Sequence, residues 1–117
     1  MTKELYSTEI WHTCQLLHKK IKDIVADRLK FDDTILKRDL LQCSFFIIEN
    51  LLEAYDNPDK VKIPFLSNAL SFTEGLEKSL TTANVLFYIP KNKYLKLMRI
   101  TNEIKAIIQE RIKANTN

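Results

Sequence analysis

Glu9 and His12, in the stretch EIWH, have the Glu-x-x-His spacing with which four-helix bundles set a carboxylate and an imidazole on one helical face to hold paired metal ions. Such a site needs the motif twice. The nearest second candidate joins Gln15 to His18, and an amide is a poor ligand; Glu49 and Glu53 offer carboxylates without a histidine. Cys14 and His18 also share a helical face, but zinc asks for four ligands and no further cysteine or histidine pair completes the shell. No metal site is expected, and Cys14 and Cys43 read as reduced thiols inside helical patterns rather than as a disulfide. With a single glycine, Gly75, the chain has no room for a phosphate loop, a dinucleotide fingerprint or a nucleophile elbow. These residues nominate no catalytic group and no cofactor, so the chain reads as a non-enzyme.

A run of cations remains. From Lys91 onward the chain carries seven basic residues, Lys91, Lys93, Lys96, Arg99, Lys105, Arg111 and Lys113, against Glu103 and Glu110, which gives +5. The first 90 residues hold eleven basic and thirteen acidic ones, which gives −2. A polyanion therefore prefers the carboxy-terminal segment, where lysine and arginine suit phosphate contact without a base code. Tyr88 and Tyr94 stand near the start of this run, placed either to stack on bases or to anchor helix ends. Repetition around an oligomer would merge such patches into one extended field.

The elements that must carry these residues are helices. At 117 residues, 45% hydrophobic and 28% charged, the chain is the size of one domain with one core. Its poverty in glycine and proline starves a hairpin-rich fold and suits long helices. No apolar run spans a bilayer and the amino terminus lacks a secretory signal, so the expectation is a cytoplasmic protein with no membrane association.

The periodicity predicts a first helix from about Lys3 to Val25, with Leu5, Ile10, Cys14, Leu17, Ile21, Ile24 and Val25 inward. Asp32, Asp33 or Thr34 then caps a second that runs to Asp56 and is closed by DNPDK. A third opens at Ile63 or Pro64 and continues to Ala83, with Gly75 placed mid-helix by a close helix-to-helix approach. A fourth buries Tyr94, Leu97, Met98, Thr101, Ile104, Ile107, Ile108 and Ile112. Connections this short force neighbours to lie antiparallel, so the expected fold is all-α, an antiparallel up-down-up-down four-helix bundle covering residues 1–117 as a single domain.

The second helix is more apolar than a bundle position requires, since a bundle helix ordinarily buries about a third of its circumference. Leu40, Cys43, Ile47, Leu51 and Ala54 make one stripe; Leu41, Phe45, Ile48, Leu52 and Tyr55 make a second beside it. Phe46 projects from the polar strip between Gln42, Glu49, Asn50 and Glu53. Soluble monomers seldom leave such area in water. Phe45, Phe46, Leu52 and Tyr55 are therefore the expected contacts between identical copies; the alternative is that the first and third helices wrap the second more fully.

Three stretches together carry a family resemblance: ENLLEAY, with Asn50, Glu53 and Ala54 in an Asn-x-x-Glu-Ala/Gly signature; KIPFLSNAL; and LTTANVLFYIPKNKY leading into TNEIKAII. From about Trp11 to Ile112 the chain resembles the bacterial four-helix-bundle superfamily of the accessory variability determinant (Avd) of diversity-generating retroelements and the proteins encoded within ribosomal RNA genes. The resemblance implies a homopentameric ring, a basic surface for RNA or DNA and, in the retroelement branch, a reverse transcriptase as partner. It also exposes departures: Leu41 and Gln42 stand where intervening-sequence proteins carry arginines, and Glu77 and Thr81 where Avd-like ones do. The expected phosphate contacts shift accordingly to Lys60, Lys62 and the fourth helix. A protein-protein scaffold that ignores nucleic acid is the alternative function.

Overall fold

A computed structural model describes residues 5, 6, 8–27 and 31–116, with the side chains of Asp59 and Lys60 outside that set. Four helices follow in chain order: α1 (Glu9–Val25), α2 (Thr34–Asp56), α3 (Asp59–Val85) and α4 (Lys91–Asn115). Each packs on the next, and α1 closes on α4, which gives an antiparallel up-down-up-down bundle.

Each helix earns its face by spacing. Ile10, Cys14, Leu17, Ile21 and Val25 of α1, Leu66, Ala69, Leu76, Leu80 and Ala83 of α3, and Leu97, Ile104 and Ile108 of α4 recur every three or four residues and are buried. Full burial of each leucine or isoleucine contributes about 1.5–3 kcal/mol. Thr73 and Thr101 sit within these stripes at 0% exposure and satisfy their hydroxyls on the carbonyls four residues back, Ala69 O and Leu97 O, both at 2.7 Å.

The ends differ from expectation in two places. α1 starts at Glu9 because Thr8 caps it, its side chain accepting from the Trp11 N–H; Lys3 lies outside the described residues. α3 starts at Asp59, since Pro58 sets an extended cap, and runs straight through Pro64. Proline in the second turn gives up one helical hydrogen bond, a loss that the following five turns of packing outweigh. Asp33 caps α2, accepting from the Leu36 N–H at 2.9 Å.

Three residues from the loops complete the core at the end of the bundle where α1 meets α2 and α3 meets α4. Phe31 is fully buried and stacks on Tyr88, ring centroids 4.7 Å apart, while Ile89 fills in beside them. The Tyr88 hydroxyl donates to Asp32 Oδ1 at 3.1 Å, which holds the phenol protonated above its ordinary range. The two loops are thereby latched together.

Most of the excess apolar surface of α2 is covered within the chain. Ser44 accepts from His18 of α1 at 2.7 Å, Phe46 lies half-buried 5.1 Å from the Phe72 ring of α3, and Leu52 and Tyr55 pack on the core. Phe45, at 48%, and Ile35 in the first turn, at 64%, stay exposed. Gly75 does face α2, but a Cβ there would meet Cys43 Sγ at 3.4 Å, ordinary contact, so close approach alone does not require glycine.

Candidate nucleic-acid interface

The start of α4 gathers the positive charge. Pro90 caps the helix with no side-chain hydrogen bond, and no acidic residue occupies the first turn; Lys91 and Lys93 stand there instead. Cations at a helix amino terminus oppose the helix dipole, at a cost of about 0.3–1 kcal/mol each. The same arrangement adds the helix's own positive end to the lysine charge. Lys96 and Arg99 continue outward in the next turns, both exposed, and Lys20 of α1 comes close to Lys93 and Lys96 across a shallow groove.

The rest of the run is divided. Lys105 is tied to Glu77 of α3, Nζ to Oε1 at 3.0 Å, with the two side chains only 28% and 20% exposed. Glu77 is one of the positions where Avd-like proteins favour arginine; here it neutralises a cation of α4. Arg111 lies at the far end of the bundle, its guanidinium 5.9 Å from the Tyr55 ring, and Lys62 of α3 approaches the same ring at 5.8 Å. Tyr55, a residue expected between copies, is thus flanked by two cations expected at phosphates. Lys113 is exposed in the last turns. The side chain of Lys60 lies outside the described residues.

The two tyrosines near the run serve as anchors. Tyr88 is held by Phe31 and Asp32, and the Tyr94 hydroxyl meets Thr81 Oγ1 at 3.1 Å, so each ring is committed within the chain.

The residues tested for metal chemistry are dispersed. Glu9 and His12 are exposed, while Cys14 is buried and its thiol is pushed up to about 12 by burial. His18 points instead to Ser44; because the Ser44 hydroxyl donates to Leu41 O at 3.1 Å, its lone pair takes the His18 Nδ1–H. Burial, with Lys22 adding to it, lowers the imidazole's affinity for a second proton. Among the described residues no three histidine, cysteine, aspartate or glutamate side chains come together around a point.

Sequence reasoning missed the α3–α4 turn as a surface. Phe87 there is 93% exposed, and beside it a cavity of about 760 Å³ opens between the end of α1 and the start of α4. Its only sequence signal was the apolar run VLFYI between a helix and the lysines.

The bundle overlays on the crystal structure of a protein with unknown function from the S23 ribosomal protein family of Bacteroides thetaiotaomicron, with a TM-score of 0.80 over 89% of this chain and 98% of that one. The two chains share this four-helix fold. It is the architecture that the Avd-like and intervening-sequence resemblance leads one to expect, and at 18% identity the likeness speaks to the fold alone. No protein-family model and no curated protein matches the chain. No helix of the described residues is long and apolar enough to cross a membrane.

Proposed function

We propose that this chain is a non-enzymatic, self-associating helical bundle that binds RNA or DNA through backbone phosphates along α4. The observation that supports it most directly is the concentration of exposed Lys91, Lys93, Lys96 and Arg99 on the uncapped amino-terminal half of α4, in a chain whose first 90 residues are net acidic. From Lys91 to Lys113 the helix offers about 33 Å of rise, several phosphate spacings long. Self-association sets such faces side by side, with the exposed ring of Phe45 at the lateral contact and Phe46, Leu52 and Tyr55 around it. A homopentamer, and a reverse transcriptase as the protein partner, are the forms this function takes in the Avd branch that the chain resembles.

Charge reversal tests the binding half. Lys96→Glu/Arg99→Glu should abolish retention of a labelled RNA or duplex DNA at about 50 mM salt while the scattering mass stays that of the parent. Unchanged retention refutes the assignment of binding to α4; no retention by the parent chain refutes nucleic-acid binding and leaves the scaffold reading, which the exposure of Phe45 supports. For the assembly half, a parent mass of 13.7 kDa would refute the oligomer. A reverse transcriptase gene beside a template repeat would support the retroelement form; its absence would count against it.

A further inference from the structure

The turn joining α3 to α4 carries two departures from ordinary helix termination at one residue. The end of α3 makes the paired hydrogen bonds of a Schellman motif: the Tyr88 N–H donates to Ala83 O at 2.9 Å and the Phe87 N–H to Asn84 O at 3.1 Å. The left-handed position of that motif belongs ordinarily to glycine, because a side chain there crowds its own backbone. Phe87 occupies it, at φ 64°. A bulky residue in this conformation is strained, and strain of this kind persists where it serves a purpose. The ring does nothing for the chain's own packing: Phe87 is 93% exposed, with Val85 and Leu86 beside it at 65% and 50%.

Phe87 stands at the edge of the cavity of about 760 Å³, whose apolar walls are Ile24, Tyr88 and Ile89. Asp23 and Asp27, from the end of α1 and just beyond it, and Lys91 and Lys93 of α4 line it as well. A protruding ring, a cavity large enough to take one, and opposite charges in its lining make a patch complementary to itself across a two-fold axis. We infer that the α3–α4 turn is a docking knob for a second copy of this chain: Phe87 of each copy enters the cavity of the other, and Lys91 and Lys93 face the other copy's Asp23. A lipid surface is the other habitual host of an exposed apolar tip; at this end Lys91 and Lys93 would attract anionic headgroups and Asp23 and Asp32 repel them, whereas a second copy satisfies both signs at once. The contact uses the end of the bundle, whereas the aromatic contact on α2 uses its side, so the two are separable. A few side chains from each copy bury well under the ~1,600 Å² of a standard interface, which sets the association at micromolar strength or weaker.

Sedimentation velocity of the full chain without nucleic acid, from about 1 μM to 1 mM, tests the proposal. The parent should show a concentration-dependent doubling of mass. Phe87→Gly should lose the doubling and melt at an equal or higher temperature, because glycine suits the backbone. Asp23→Lys chains and Lys91→Glu/Lys93→Glu chains should each fail to double alone and recover it when mixed. Phe45→Ser should retain the doubling, which distinguishes loss of this contact from loss of the lateral one. No doubling by the parent, doubling by Phe87→Gly, or a mixture that does not pair would overturn the proposal. So would flotation of the parent, and not of Phe87→Gly, with phosphatidylserine–phosphatidylcholine vesicles.

Discussion

Lys105 is where counting charges and reading the structure give different answers about phosphate binding. Glu77 holds its ammonium at 3.0 Å in a half-buried pair, and Arg111 is drawn over Tyr55 at the far end. Leaving aside Arg111, exposed but held over that ring, Lys91, Lys93, Lys96, Arg99 and Lys113 are exposed on α4, five contacts for each chain. On duplex DNA each contact contributes about −0.9 to the slope of log affinity against log salt, so the parent slope is about −4.5, roughly a 500-fold loss between about 50 and 200 mM. Lys96→Gln/Arg99→Gln leaves three contacts, a slope of about −2.7 and a loss of roughly 40-fold over the same range. Lys105→Gln should leave the slope where it was. Its effect falls on stability instead, since it strands Glu77 without its cation, and a urea melt measures that separately. Fluorescence anisotropy of a labelled duplex across a salt series reads all three proteins. If Lys105→Gln flattens the slope as much as a surface lysine substitution does, or if the parent slope is near zero, the assignment of contacts is wrong.

Gly75→Ala should stabilise the fold by about 0.5–1 kcal/mol in urea unfolding, because the new methyl gains helix propensity and meets Cys43 Sγ at an ordinary 3.4 Å. Phe31→Ala should cost about 3–5 kcal/mol, by removing a fully buried ring and the stack that latches the two loops. Stability should also fall with acid in a way that traces to His18. Its folded proton affinity is depressed, so the unfolded chain takes up the proton first; the histidine's contribution is complete above about pH 6.5 and declines below it. His18→Gln should flatten that part of the pH–stability profile.

Those predictions also mark how far the sequence could be read. The buried stripes of all four helices follow from local spacing alone; spacing also narrows the cap of α2 to Asp32, Asp33 or Thr34, and the structure selects Asp33. The start of α3 was misread because proline is both a helix opener and a helix breaker. Pro58 and Pro64 compete for the first role, and only the packing of residues 59–63 decides it. Phe31 and Tyr88 are 57 positions apart, and nothing local announces that they stack. The candidate interface shows the same limit: Lys105 is exposed by pattern and neutralised by a partner 28 residues away. Tyr94, by sequence either a stacking ring or a helix-end anchor, is held by Thr81. Phe87 is the opposite case, an apolar residue that periodicity would bury and the turn geometry throws outward.

An even number of alternating helices brings Glu9 and Asn115 to one pole and leaves Phe87 at the other, along a body 46 Å in its longest dimension. A tether fixed at Glu9 or Asn115, whether a glass slide, a fluorophore or a fused enzyme, therefore hangs from the pole that the exposed ring does not use. Immobilised this way, the molecule presents its aromatic tip outward with no redesign of the linker.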